Sequence, residues 1–307
     1  MSLSDRDGKI WKDGELVDWR SAQIHVLTHS LHYGMGIFEG MRAYDTDRGP
    51  AIFRLDDHVK RLFNSAKIFQ LVIPFTYDQI REASKAVIRA NELGACYLRP
   101  LVWLGADFLS IASTKNPVHV ATAAWPMGAY LGEEGMQRGI RVKTSSFSRH
   151  HVNVSMVRAK ASGHYINSIL ANREVTSLGF DEALLLDTDG YVSEGAGENV
   201  FIIKDGVIYT PDLGSCLDGI TRNSVVTIAH DLGYVVKEKR ITRDEMYCAD
   251  EAFFTGTAAE VTPIRELDCR AIGEGVRGPI TEKLQATYLA AVRGELDQYK
   301  HWLSYVD

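Results

Sequence analysis

Cysteine is scarce in this chain: four in 307 residues, namely Cys96, Cys216, Cys248 and Cys269, far apart and with no Cys-x-x-Cys pair. That excludes a disulfide framework, and the thiols read as reduced, as in a cytoplasmic protein. Long apolar runs are also missing, so no segment is expected to span a bilayer, and the Asp- and Lys-rich start does not resemble a secretory signal. Basic clusters are absent. The 34 Lys and Arg are scattered against 40 Asp and Glu, leaving a net charge of −6, which makes nucleic acid and anionic membranes poor partners. Internal repeats and low-complexity stretches are lacking as well. What remains, 45% hydrophobic and 24% charged residues, is an ordinary globular composition, with length for one large or two moderate domains.

Chemistry is expected around Lys160. Its neighbours Ala159, Ala161, Ser162 and Gly163 are small, and the segment after it puts Ile166, Ile169 and Leu170 on one helix face. A lysine confined there loses hydration, which makes its neutral, nucleophilic form easier to reach. Taken alone, a lysine at a helix start is usually structural. Two Asp-Gly hairpin signals follow, Asp189-Gly190 and Asp205-Gly206, between strand-like runs such as 183–186 and 199–203. Between them, Ser193-Glu194-Gly195-Ala196-Gly197-Glu198-Asn199 sets a carboxylate in a glycine-rich kink where backbone approaches a ligand closely. Then Cys216-Leu217-Asp218-Gly219-Ile220-Thr221-Arg222 opens a helix with Val225, Val226, Ile228 and Leu232 on its apolar stripe. Free amides at such a start, with a glycine and a hydroxyl, suit a phosphate. An amine for covalent attachment, a carboxylate and a phosphate cup, in that order, suggest pyridoxal phosphate.

The remaining elements fall in order. An opening hairpin turns at Asp13-Gly14. Three histidines, His25, His29 and His32, fall close together, but no carboxylate or cysteine sits at ligand spacing, and the alternation over residues 24–34 predicts a strand rather than a metal site. A short strand over 51–54 precedes a helix over 56–69 carrying His58, Arg61, Leu62, Ser65 and Ile68, and a second helix over 77–93 is expected to end at Gly94 as C-cap. Residues 96–104 form a strand with Tyr97 and Arg99 on one face; residues 117–125 form a central strand. Glycines and a proline over 126–135 mark a linker between a smaller N-terminal domain (1–125) and a larger C-terminal domain (136–307) that carries Lys160. Strands over 233–241 and 251–254 lead to the small-residue turn Thr255-Gly256-Thr257-Ala258-Ala259, whose amides and hydroxyls suit an anion. Residues 280–305 read as one amphipathic helix.

The run from Glu194 through Asn199-Val200-Phe201 to Gly219-Ile220-Thr221-Arg222 resembles the signature of the class IV, fold-type IV aminotransferases, and the whole chain from Trp11 onward resembles their bacterial branched-chain amino acid branch. The resemblance implies a two-domain α+β or α/β enzyme holding pyridoxal 5'-phosphate at the domain interface. It implies transfer of the amino group between leucine, isoleucine or valine and 2-oxoglutarate. It implies Lys160 as the catalytic, cofactor-linked amine and Glu194 against the pyridine nitrogen. Tyr165 matches the residue bonded to the ring hydroxyl; Arg61, Leu217, Gly219, Ile220, Thr221 and Thr257 match cofactor ligands, chiefly of the phosphate. Phe38, Gly40, Met127 and Tyr130 match the substrate pocket, Tyr97 and Arg99 the pair for the glutamate side-chain carboxylate, and Thr257 and Ala258 the α-carboxylate end. Tyr33 matches a tyrosine that reaches into the partner subunit, so a homodimer or larger homo-oligomer is implied. Met127 stands where the best-known bacterial members have tryptophan, so a flexible thioether replaces a rigid indole. A D-amino acid transaminase or deoxychorismate lyase of the same class shares Lys160 and Glu194, but the Tyr97-Leu98-Arg99-Pro100 strand and the Gly256-Thr257-Ala258-Ala259 turn favour the branched-chain enzyme. A non-catalytic phosphate-binding module would leave Lys160 and Glu194 without a use.

Overall fold

The computed structural model describes residues 2–128 and 132–307. They form two compact units, one of Met1–Met127 with Ala159–Gly163 and Val292–Asp307, the other of Gly128–Arg158 with His164–Ala291. Both mix helix and sheet. No described helix is long and apolar enough to cross a membrane.

In the first unit, β1 (Lys9–Lys12) and β2 (Glu15–Asp18) pair across Asp13 and Gly14, whose φ angles of 50° and 102° are those an Asp-Gly hairpin needs. Then follow α1 (His29–Tyr33), β3 (Gly36–Phe38), β4 (Met41–Thr46), β5 (Gly49–Phe53), α2 (Leu55–Ile68), α3 (Tyr77–Ala90), β6 (Cys96–Leu104) and β7 (Val118–Trp125). The sheet order is C-terminal strand Leu303–Tyr305, β5, β4, β6, β7, β1, β2, with β3 also on β6. Leu55, Val59 and Leu62 of α2 and Ile80 and Val87 of α3 share one core with Met41, Leu98 and Val102 of the sheet; each fully buried side chain of this size contributes about 1.5–3 kcal/mol.

The second unit contains α4 (Glu133–Arg138), β8 (Ile140–Thr144), α5 (Tyr165–Thr176), β9 (Glu182–Leu186), β10 (Val192–Gly195), β11 (Asn199–Lys204), β12 (Val207–Thr210), α6 (Ile220–Asp231), β13 (Val236–Glu238), α7 (Arg243–Tyr247), β14 (Glu251–Gly256), β15 (Glu260–Leu267), β16 (Arg270–Ala271) and α8 (Pro279–Val292). Its sheet runs β10-β9-β8-β15-β14-β11-β12-β13, with β16 on β15. The two expected Asp-Gly turns join β9 to β10 and β11 to β12, the latter with Asp205 and Gly206 at φ 49° and 74°.

Several expectations need correction. Residues 24–34 do not form a strand: residues 29–33 close as α1, ended by Gly34 at φ 70° with its N–H on Ser30 O, and residues 24–28 before it belong to no helix or strand. Helix α3 stops at Ala90, with Asn91 and not Gly94 as its C-cap. Asn91 wins because its side chain donates to Val87 O (2.6 Å) and Lys9 O (2.9 Å) and accepts from Lys9 N (2.7 Å), tying the helix end to β1. The strand expected over 233–241 is only Val236–Glu238. The C-terminal segment is not one helix: α8 ends at Val292, Gly294 turns the chain at φ 75°, and a 3-10 turn at Asp297–Trp302 delivers Leu303–Tyr305 as an edge strand on β5. Lastly, Ile166, Ile169 and Leu170 do share a face of α5, but they are 63%, 48% and 43% exposed, while Ser168, Ala171 and Val175 face the core.

Candidate active site

Lys160 belongs to the short stretch that returns to the first unit, and its backbone is held from both sides. Its N–H donates to Ser65 Oγ on α2 at 3.0 Å, and its carbonyl accepts Phe38 N–H at 3.0 Å. Ala161 then bridges Ile37 as an isolated antiparallel pair. The half-buried amine stands 5.1 Å from the centre of the Phe38 ring. The same ring carries the Arg99 guanidinium at 4.6 Å. An aromatic face attracts cations, so Phe38 spaces an amine and a guanidinium over one wall.

Tyr97 and Arg99 lie two apart on β6, and Arg99 Nη2 donates to Tyr97 Oη at 3.0 Å. Arg99 Nε is buried with no acceptor among the described residues. A buried donor left so is costly unless a ligand supplies the acceptor. Gly40 is glycine for space, because a Cβ there would lie 2.0 Å from Tyr97 Oη. Met127 is half-buried, and its carbonyl accepts Arg42 Nη2 at 3.2 Å. Tyr33 is 45% exposed on α1. Tyr130 lies outside the described residues.

Arg61 is not a surface arginine. Its Nε and Nη2 donate to the two oxygens of Glu39 at 2.7 and 2.9 Å, and His58 Nδ1 donates to Glu39 Oε2 at 2.7 Å. Glu39 is wholly buried. Burial would raise its pKa, but the Arg61 charge, the His58 charge once that ring is protonated in acid, and the hydrogen bonds from both hold it well below the usual carboxylate range. Burial, with the nearby charges of Arg61 and Lys160, lowers the His58 pKa against the pull of Glu39, so the imidazole is neutral near pH 7 and donates from Nδ1.

In the second unit, Glu194 sits at a β-bulge of β10. Its Oε1 accepts both Arg149 Nε and Nη2 at 2.6 Å, and its Oε2 accepts Leu217 N–H at 3.1 Å. Arg149 is itself fixed by Ser168 Oγ at 2.9 Å and Asn167 Oδ1 at 3.3 Å. Next to it, burial and the Glu194 charge push the Cys216 thiol far up, which keeps it unreactive. Asn199 Nδ2 donates to Leu217 O at 2.9 Å, and a Cβ on Gly219 would fall 1.9 Å from Asn199 Oδ1, so only glycine fits that turn. Gly219 caps α6 without a side-chain bond, and the first turn carries no acid, so the start of α6, with Ile220 and the buried Thr221, is suited to an anion. Tyr165 is the first residue of α5. Thr257 and Ala258 are half-buried in the turn between β14 and β15, beside Thr255, whose buried Oγ1 has no partner among the described residues. A separate cleft of about 140 Å³, against His150, Asp187, Tyr191 and Arg240, includes none of the expected residues. No described group of His, Cys, Asp and Glu could hold a metal ion.

Donor chemistry therefore fits pyridoxal phosphate: an anchored amine, a fork of guanidinium, an uncapped helix start and a carboxylate held by arginine. Sequence reasoning does not single out Arg149, Glu39, Ser65 or Asn199 as functional. Ser65 and His58 share the helical spacing of Arg61, which is a usable signal. Arg149 stands 45 residues from Glu194 in a polar stretch without pattern.

A model of the family described as amino-transferase class IV matches residues 36–267. The branched-chain-amino-acid aminotransferase of Pseudomonas aeruginosa (strain PAO1) is 60% identical over all of this chain and all of its own length, and that of Escherichia coli (strain K12) is 42% identical over 97% of each. A branched-chain amino acid aminotransferase of T.th., solved with pyridoxamine 5'-phosphate, superposes with a TM-score of 0.96 at 51% identity, covering 98% of this chain and 99% of its own. The fold is thus the fold-type IV α+β architecture, and this chain belongs to the class IV aminotransferases.

Proposed function

We propose that the protein transfers the amino group between branched-chain L-amino acids and 2-oxoglutarate, using pyridoxal 5'-phosphate. The relatives that bear the branched-chain name match end to end, and one of them holds pyridoxamine 5'-phosphate. The observation that carries the reading is the Phe38 wall, with the Lys160 amine at 5.1 Å and Arg99 at 4.6 Å, Arg99 Nε having no acceptor among the described residues. Bound pyridoxal phosphate supplies the electron sink that stabilises negative charge at the substrate Cα. Lys160 moves the proton at that carbon, as base and then as acid. Arg61, the α6 start at Gly219, Ile220 and Thr221, and Thr257 would hold the phosphate; Glu194, fixed by Arg149 and the Leu217 amide, would keep the ring nitrogen protonated, and Tyr165 would bond its hydroxyl. Phe38, Gly40, Met127 and Tyr130 line the space for an apolar side chain, Tyr97 and Arg99 take the distal carboxylate of glutamate, and Ala258 takes the α-carboxylate. The enzyme works in the cytoplasm as at least a dimer, with Tyr33 reaching the partner.

Visible absorbance of the cofactor-loaded protein tests this. L-isoleucine should bleach the band and 2-oxoglutarate should restore it. Bleaching by D-alanine alone would move the protein to the D-amino acid branch.

A further inference from the structure

The cluster under Arg61 is built unlike a simple tie between strand and helix. Glu39 follows directly on Phe38, whose N–H holds the Lys160 carbonyl, and its own N–H is fixed on Pro100 O at 2.9 Å. From α2 come His58, Arg61 and Ser65, spaced three and four apart and so on one face. Glu39 takes three short charge-assisted or buried hydrogen bonds from that face, at 2.7, 2.9 and 2.7 Å. Burial is graded: the Glu39 side chain is 1% exposed and that of His58 2%, whereas Arg61 keeps 12%. The carboxylate is therefore the deep anchor, and the guanidinium is the part of the cluster that reaches outward. Apolar packing would join β3 to α2 as well as an ion pair does. What apolar packing cannot do is orient a guanidinium.

We propose that Glu39, steadied by His58, is a positioning residue that locks Arg61 in place before the cofactor arrives, as a fixed positive charge for its phosphate. This rests on the assignment of Arg61 to the phosphate. A long side chain immobilised in advance loses no rotamer freedom on binding, and releasing it costs about tenfold in affinity.

The test compares two probes on the cofactor-free full chain: pyridoxal 5'-phosphate, and pyridoxal, which lacks the phosphate. Dissociation constants come from absorbance titration, and the bound phosphate is followed by its phosphorus resonance. Glu39→Gln should weaken the phosphorylated probe by about tenfold and leave pyridoxal within about twofold, with a displaced phosphorus resonance. Combined with Arg61→Ala it should add nothing beyond Arg61→Ala alone. His58→Asn, a milder change that serves if Glu39→Gln misfolds, should act in the same selective direction. Equal weakening of both probes, or unchanged binding of the phosphorylated one, overturns the proposal. If Arg61→Ala spares both affinities, the phosphate assignment of Arg61 falls and the positioning role with it, while wild-type binding still reports separately on the use of the cofactor.

Discussion

Arg149 is the residue whose loss should be felt most. Its side chain is 9% exposed and that of Glu194 4%, and Nε and Nη2 both lie 2.6 Å from Glu194 Oε1. Replacing it by leucine keeps most of the volume but strands a buried carboxylate whose remaining bond in the second unit is the Leu217 amide at 3.1 Å. Breaking a buried pair from one side costs about 3–5 kcal/mol, because the remaining charge is uncompensated. Removing both charges together, in Arg149→Leu with Glu194→Gln, leaves no stranded charge, so the double variant should recover at least about 2 kcal/mol relative to the sum of the singles. Urea unfolding of the cofactor-free protein gives these values. Far-ultraviolet circular dichroism is the appropriate signal, since Trp11, Trp19, Trp103, Trp125 and Trp302 all lie in the first unit and would miss the event. A loss below about 1 kcal/mol for Arg149→Leu, or strict additivity in the double variant, would show that the pair contributes no more than an exposed one.

Gly40→Ala places a methyl group against the Tyr97 hydroxyl, 2.0 Å from the carbon it adds. The ring must swing away from Arg99, so KM for glutamate should rise about tenfold, the cost of a displaced hydrogen-bond donor at a charged group; an unchanged KM in steady-state kinetics would remove Tyr97 from substrate recognition. Stability should also fall in acid. His58 has its pKa lowered from 6.5 by burial and by Arg61 and Lys160, against Glu39, and Glu39 is held well below 4.5. In both cases the unfolded chain takes up a proton that the folded chain refuses, so the stabilisation is complete above about pH 6.5 and declines below it, first through His58 and then, under 4.5, through Glu39. Melting temperatures taken from about pH 7.5 to 5 should slope less in His58→Asn than in wild type, and parallel slopes would refute the assignment.

What was legible in the sequence is what depends on neighbours along the chain. Asp13-Gly14, Asp189-Gly190 and Asp205-Gly206 make hairpins because their backbone conformations are set locally, and the Tyr97–Arg99 face follows from the period of a strand. What the sequence hides is what a distant partner decides. Asn91 ends α3 because β1 lies within reach of its side chain, which no helix-end rule contains. Gly294 could have been read as a helix stop, but the pairing of Leu303–Tyr305 with β5 could not. The exposed Ile166, Ile169 and Leu170 show that apolar spacing along a helix sets which residues share a face, without fixing that this face is the one buried. Ion pairs are the least legible of all: Glu39 with Arg61 and Arg149 with Glu194 join residues 22 and 45 apart, and charge has no period.

In the sequence, the small residues beside Lys160 point to a dehydrated amine; the structure gives them another cause. Ala161 is fully buried where its backbone bridges Ile37, and Gly163 donates to Gly34 O at 3.2 Å, where an added Cβ would come equally close to that oxygen, at 3.2 Å. Two backbones meet here, and side chains must be small to let them. The lysine is thus positioned through its own main chain, whose carbonyl accepts Phe38 N–H and whose N–H donates to Ser65 Oγ. Ala161→Val tests this directly. Two methyl groups forced into a filled site cost about 1–3 kcal/mol, largely as backbone displacement, and the displacement would be carried to the adjacent Lys160. The variant should fold, bind pyridoxal phosphate more weakly and lose kcat by more than an order of magnitude, as a misplacement of about 1 Å at a reacting group does. If small residues served only to dehydrate the amine, the bulkier and more apolar valine would do so better. Retained or increased kcat in Ala161→Val would restore dehydration as their role.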